Sequence, residues 1–456
     1  MKQSNRILIF SGILAAGVAN MMMQTVVATI LPQVIQELGD GHLYGWVFSG
    51  YLLLSTITIP LFAKMADLFG YKRIFLIGIS VFLIGTLLCG LAPSLPFLVI
   101  ARLIQGIGAG ALGPVSIAFI SLLFPSENRG KALSAYAAIQ LLANLIGPIA
   151  GRYVSSAFGW SYAFFMVIPF AFVALLILLC SKLDKKEKQA TTWKEINYLG
   201  ALLLGTSIAL FIQGWSIFEN SGWRISVIAM MVGCLCLILL FIRQDRRHPE
   251  AILPQQLIKI KNVFLANISA FILGTINYGA IAIFPLLSVA LFEGTENSSR
   301  LLLPLMIGLS IGVILSGRMM QKHSYKKLAV RGWLLTSVAL FSISILIFAG
   351  IGVNFIYFFA FLTGFGIGSV MPTFMLPAQN AVSDNYQATV GGMIQLSRNI
   401  GGAAGIPILT SLMAIAESWG AGMQKFGFLF LVLFFFGLMG IVIGKRYEGK
   451  NADKFQ

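Results

Sequence analysis

Apolar residues in this chain come in runs of about twenty, separated by short polar loops. About fourteen runs are visible, near residues 7–36, 46–63, 74–92, 96–123, 131–153, 160–181, 197–218, 223–243, 263–291, 301–320, 329–349, 353–380, 387–416 and 424–445. A run of that length lets an α-helix cross the hydrocarbon core of a bilayer. The pattern predicts an all-α integral membrane protein of fourteen spans. Several runs exceed what a bilayer needs, so those helices tilt or protrude. The first run follows Lys2 and Arg6 and extends to about Ile35, too long for the apolar core of a signal peptide. It predicts the first transmembrane helix.

The pattern also repeats. Ala63–Arg73, after span 2, and Gly317–Lys327, after span 10, read as degraded copies of one basic loop. Gly106, Gly108, Gly110 and Pro114 in span 4 recur as Gly364, Gly366, Gly368 and Pro372 in span 12. Gln140 and Asn144 in span 5 recur as Gln395 and Asn399 in span 13, and Pro32 matches Pro285, which pairs Gln24 with Asn277. Spans 1–6 therefore correspond to spans 9–14, with spans 7 and 8 an inserted pair. The expected organisation is a six-helix bundle over 1–181, a linker with two extra helices over 182–262, and a second six-helix bundle with a short tail over 263–456. Duplicated helix bundles are a common architecture of secondary transporters, with the substrate site between the halves.

Composition and charge sharpen this picture. The chain is 58% hydrophobic and 11% charged, with mean hydropathy +0.88; soluble chains carry about 25% charged residues. The net charge of +16 raises the question of nucleic acid. The placement of the charge excludes it: 26 of the 32 Lys and Arg fall in the termini and alternate loops on the N-terminal side, and only Arg224, Arg300 and Lys425 in the opposite loops. That asymmetry predicts a multi-pass protein of the cytoplasmic membrane with both termini in the cytoplasm. Cys89, Cys180, Cys234 and Cys236 all lie in apolar runs and read as reduced, space-filling residues, with no metal or disulfide spacing.

The loop after span 2 supplies Asp67, Gly70, Lys72 and Arg73. Span 4 supplies Arg102, Gln105, Gly106, Gly108 and Gly110, followed by Arg129 in the next loop. Span 5 supplies Gly147, Pro148 and Gly151, and span 1 runs Thr25-Val-Val-Ala-Thr-Ile-Leu-Pro32. At these residues the chain resembles the major facilitator superfamily, and within it the fourteen-helix drug:proton antiporter branch. The resemblance covers nearly the whole chain. It implies the major facilitator fold, two pseudo-symmetric six-helix bundles plus two inserted linker helices, and proton-coupled export. The chain departs from the pattern in several places. Ala63, Met65 and Tyr71 replace Gly, Leu and Arg in the loop, Met23 replaces an Asp in span 1, and Ala143 and Arg152 stand where Gly is typical in span 5.

The residues themselves allow the following chemistry. Asp67 with Lys72 and Arg73 beside a glycine turn can pair with cations or helix ends, contacts that a gate makes and breaks; the plainer reading is a solvated loop. The glycines of spans 4 and 12 permit close helix approach, and either pack or flex. Asn20, Gln24, Gln140, Asn144, Asn277, Gln395 and Asn399 read as a substrate-cavity wall or as interhelical hydrogen bonding. Gln140 with Asn144, and Gln395 with Asn399, are four apart and share a helix face. Arg102, Arg152 and Arg398 lie within spans; Arg152, at the external end of span 5, can reach water, whereas deeper in a span a guanidinium costs about 2.5–3.5 kcal/mol and needs a partner or water. Arg398, beside Asn399 and one turn from Gln395, is the leading candidate for substrate contact; the plainer readings are snorkelling or pairing with a carbonyl.

None of the sixteen Asp and Glu falls mid-span. A drug:proton antiporter usually carries an embedded acid, and arginine does not deprotonate in this range. Glu37 or Glu417 at a span end, or ionisation of the cargo, would have to serve. Enzyme chemistry lacks support: the histidines are His42, His248 and His323, none within a span, and no metal spacing appears. The expectation is a monomeric exporter of amphiphilic small molecules by alternating access, with no cofactor or metal, in contact with membrane lipid and driven by protons. Two alternatives stay open: an exporter of an anionic metabolite or lipid lacking the usual proton-carrying carboxylate, and a non-transporting sensor or scaffold. Uptake in place of export is also open.

Overall fold

The computed structural model describes residues 3–39, 43–124, 126–181, 197–222, 224–249, 251–320, 323–350, 354–420 and 422–447. Helix formation follows the apolar runs. In the first half they are α1 (Gln3–Leu38), α2 (Tyr44–Phe69), α3 (Tyr71–Gly90), α4 (Leu95–Leu123), α5 (Ser126–Phe158), α6 (Trp160–Phe165) and α7 (Ile168–Cys180). Then come α8 (Tyr198–Ser221), α9 (Ile225–Asp245) and the short α10 (Gln255–Ile258). The rest are α11 (Lys261–Phe292), α12 (Ser299–Met319), α13 (Tyr325–Ala349), α14 (Asn354–Asn380), α15 (Asp384–Ser418) and α16 (Gln424–Gly444). Among the described residues, thirteen stretches are long and apolar enough to cross a membrane, with α6 and α7 counted as one. The fourteenth span is α5, whose apolar run is diluted by Gln140, Asn144 and Arg152 but which still forms 33 helical residues.

Span 6 is one continuous run in the sequence and two helices in the structure. Pro169 lies in the first turn of α7. It has no N–H to bond back to the preceding turn, so the helix breaks at Met166–Val167. The other internal prolines, including Pro148 in α5, lie within helices that run on past them.

The chain divides into two compact units, residues 1–214 with 228–252, and residues 215–227 with 253–456. Most of α8 and α9 thus falls with the first unit. In the first unit α4 packs on α2 and α3, and α1 on α5 and α7. In the second, α14 packs on α12 and α13, and α11 on α15 and α16. The two units repeat the same set of helix pairs, as the repeated glycines and polar residues predict.

Burial separates the core from the lipid-facing surface. The most apolar stretch of α11 is 83% buried and that of α9 only 17%. Ile225, Ile228, Val232, Leu235 and Leu239 of α9 are all exposed, an apolar face stable only against hydrocarbon. The four cysteines are free thiols. Asn297, in the turn after α11, is buried, and its amide donates to the carbonyls of Phe292 (3.0 Å) and Glu293 (3.2 Å), closing that helix.

Candidate functional site

The loop between α2 and α3 is a single residue, Gly70. Its φ of +91° suits glycine, and its N–H donates to the Ala66 carbonyl at 2.9 Å. Immediately after it, Lys72 Nζ donates to the carbonyl of Ser181 at 2.5 Å. Ser181 is the residue that ends α7, so the ammonium meets the negative end of that helix. Arg73 is exposed. The side chains of Asp67 and Arg129 lie outside the described residues; of the expected gating group, the structure gives a side-chain contact for Lys72.

Arg102 of α4 is 1% exposed. Its Nε donates to the Val47 carbonyl at 3.1 Å, one Nη donates to Gln105 Oε1, and the guanidinium lies 4.1 Å from the centre of the Tyr51 ring. Gln105 Nε2 in turn donates to Thr86 Oγ1 (2.7 Å), and the Tyr51 hydroxyl donates to Asn20 Oδ1 (2.8 Å). The chain of contacts ties α1, α2, α3 and α4 together through neutral acceptors and a ring face. No buried nitrogen of Arg102 is left without a partner. Tyr51 and Thr86 are the members that sequence reasoning missed; a β-hydroxyl and a ring in apolar runs carry no signal of their own.

The motif glycines are packing surfaces. A Cβ on Gly106 would stand 2.6 Å from the Tyr51 carbonyl oxygen, and one on Gly110 2.0 Å from Thr58 Oγ1, both on α2. A Cβ on Gly108 would stand 2.3 Å from Phe82 N on α3. The spacing of two directs successive glycines at two neighbours. The second unit does the same: Gly364 and Gly368 press on the Leu305 and Leu309 carbonyls of α12, and Gly366 on Thr336 of α13. In α5, Gly147 lies against Thr25 and Gly151 against Val26 of α1.

The two polar faces differ in what they hold. In the first unit Gln140 is half-buried and within hydrogen-bonding reach of the Tyr136 hydroxyl, which also meets Ser116. Gln24 and Asn144 are half-buried. In the second unit Arg398, half-buried, donates from Nη2 to Gln395 Oε1 at 2.7 Å and from Nη1 to Met371 Sδ of α14 at 3.6 Å. Gln395 Nε2 donates to Asn399 Oδ1 (2.9 Å), which also accepts from the Tyr278 hydroxyl at 3.3 Å. Arg398 Nε and Asn277 Oδ1 are buried and have no hydrogen-bond partner among the described residues. The structure thus unites Gln395, Arg398 and Asn399 with Tyr278.

Acids occupy helix ends. Glu37 accepts from Gln33 Nε2 and Trp160 Nε1, both at 2.9 Å, and Glu417 pairs with Lys425. One buried acid escaped notice in the sequence. Asp245, closing α9 and 3% exposed, accepts from Asn197 Nδ2 (2.8 Å) and from the Ile252 N–H (2.7 Å). Asn197 Oδ1 also accepts from Gln244 Nε2 and Gly200 N. The group fastens α8 to α9 and joins residues about fifty positions apart, which no local pattern discloses. Elsewhere in the second unit, an open cavity of about 360 Å³ is lined mainly by apolar side chains of α10 and α11, with Asn267 and Ser397, hydrogen-bonded to each other at 2.7 Å, on its polar edge. No cluster of three or more His, Cys, Asp or Glu fit for a metal is found among the described residues.

Comparison with known proteins bears on this arrangement. The sequence model of the Major Facilitator Superfamily matches the chain twice, over residues 13–199 and 197–406. Multidrug resistance protein 3 of Bacillus subtilis is 28% identical over 418 residues, covering 89% of this chain and 79% of that protein. The multidrug transporter protein MdtP of the same organism is 28% identical over 415 residues, covering 90% and 76%. The xylose transporter XylE of E. coli superposes with a TM-score of 0.67 at 12% identity, over 99% of this chain and all of that one.

Proposed function

The chain belongs to the major facilitator superfamily, and from that premise we propose that this multi-pass membrane protein is a secondary active exporter of amphiphilic small molecules. It works as a monomer by alternating access in the cytoplasmic membrane, with both termini in the cytoplasm, and is driven by protons. The observation that carries the reading is the paired set of polar side chains repeated mid-helix in both units, Gln140 with Asn144 and Gln395 with Asn399. Polar groups are costly in a membrane helix and mark substrate paths. The kinship with two proteins named for multidrug resistance and multidrug transport supports export and a broad cargo. The 26-to-3 division of basic residues supports the orientation.

Asp67, Gly70, Lys72, Arg73 and Arg129 form the gating loop in this reading. The Lys72 bond to the end of α7 is a contact that breaks when the loop moves. Proton uptake falls to a helix-end carboxylate, with Glu37 foremost, or to the cargo's own ionisation. The test is efflux of cationic, neutral and anionic dyes from cells expressing the protein, beside an empty vector and Asp67→Asn. Export by the wild type that is abolished in Asp67→Asn at unchanged membrane abundance is expected. Wild-type cells that handle every dye as the empty vector does would favour a sensor or scaffold.

A further inference from the structure

We infer that Arg398 is an oxyanion-recognition point, and that the cargo carries a single carboxylate, sulfonate or phosphate on an apolar body. The inference deepens the exporter reading and rests on it for the word cargo; the binding claim stands apart from it.

Arg102 and Arg398, each lodged within a span, differ in how completely they are satisfied. Arg102 is enclosed, with a carbonyl, an amide oxygen and an aromatic face around it. Arg398 has one good acceptor, Gln395 Oε1, and one weak one, the Met371 sulfur at 3.6 Å. Its Nε is buried with no partner among the described residues. A guanidinium offers five N–H donors in a planar fork that matches an oxyanion with two parallel bonds. Arg398 therefore keeps donor capacity that its neighbours do not use.

Its position adds to this. Arg398 lies fourteen residues into α15, about 21 Å from the helix start at 1.5 Å per residue. That distance is too great for the side chain to reach the end of the helix. Its polar neighbours Gln395, Asn399 and Tyr278 form a hydrogen-bonded series of neutral groups, so the cluster carries the arginine's single positive charge. The series also fixes the Gln395 amide with its oxygen toward the guanidinium.

The internal repeat argues against a packing role. Gln140 and Asn144 correspond to Gln395 and Asn399, which places Ala143 at the position of Arg398. The first unit packs α5 on α1, as the second packs α15 on α11, with only a methyl group there. The helix pair does not require an arginine.

The test uses a matched set of probes: NBD-aminododecanoic acid, its primary amide, and the corresponding dodecylamine. Binding is read by fluorescence anisotropy on purified full-length protein, and flux in proteoliposomes. The wild type is expected to bind the acid roughly ten- to a hundredfold tighter than the amide, the range of a charge-assisted hydrogen bond, and the amine most weakly. Arg398→Gln should bring the acid-to-amide ratio close to one, and Arg398→Lys should retain part of it. A wild type without acid preference, or a preference that survives Arg398→Gln, overturns the inference. If Arg398→Gln is not monodisperse, Arg398→Lys decides, since an unchanged preference without the planar fork also overturns it. Acid binding without flux of any probe would uphold the recognition site and sink the exporter reading.

Discussion

A very tight helix contact in the second unit gives the sharpest stability prediction. Gly364 of α14 faces α12 so closely that an alanine Cβ would stand 1.9 Å from the Leu305 carbonyl oxygen and 2.9 Å from Leu309 N. An ordinary carbon–oxygen contact is about 3.3–3.6 Å, so Gly364→Ala forces the helices about 1.4 Å apart or tilts one of them. The same seam holds Gly368 against the Leu309 carbonyl, and Gly308 and Gly312 against the Phe361 and Phe365 carbonyls. The obstacle is backbone, which cannot rotate aside as a side chain can. Overpacking costs about 1–3 kcal/mol, and the better helix propensity of alanine returns up to about 1 kcal/mol. A backbone obstacle puts the cost at the upper end of that range, so a net loss of about 2 kcal/mol follows. Gly113 of α4 is the control: it is helical, and a Cβ there meets nothing within 4 Å, so Gly113→Ala should gain about 0.5–1 kcal/mol. At about 1 °C per kcal/mol for a chain of this length, the two variants should differ by roughly 3 °C in melting temperature, measured by differential scanning fluorimetry of detergent-purified protein. Equal melting temperatures would refute the reasoning, because the glycines would not then be set by helix contact.

Two further predictions follow from the buried polar groups. Arg102→Lys loses the bond to Gln105 and the stacking on Tyr51, and should lower stability by about 1.5–3 kcal/mol in the same assay; an unchanged melting temperature would mean the guanidinium is not structural. Asn197→Ala removes two hydrogen bonds joining α8 to α9 and one that caps the start of α8, at about 1 kcal/mol each. It should speed limited proteolysis in the 240–255 segment, whereas wild-type cleavage rates would count against the clamp.

Much of the fold is written in the apolar runs. Their length and spacing identify fourteen spans, and the recurrence of Gly106, Gly108 and Gly110 as Gly364, Gly366 and Gly368 identifies the repeated bundles. The one-turn spacing of Gln395 and Asn399 likewise anticipates the group they form with Arg398. The break inside span 6 was less legible, because Pro169 near the start of α7 and Pro148 inside α5 look alike in one dimension. Which neighbour each motif glycine meets is a tertiary fact; the spacing of two splits them between two helices only once those helices are in place. The surroundings of Arg102 were hidden for a similar reason. Its partners Val47 and Tyr51 come from α2, and a backbone carbonyl and a ring face supply the partner it needs. Asp245 and Asn197 read as ordinary loop-edge residues until the structure closes them on each other.

The central claim is that this protein moves amphiphilic molecules across a membrane at the expense of a proton gradient. Proteoliposomes loaded with a pH-sensitive dye and given an imposed pH gradient test it most directly, with one cationic, one neutral and one anionic amphiphile added in turn. The account predicts movement of at least one compound whose direction reverses when the gradient is inverted, accompanied by counter-movement of protons. Fluxes in protein-containing vesicles equal to those in empty ones, for all three compounds and both gradients, would contradict it.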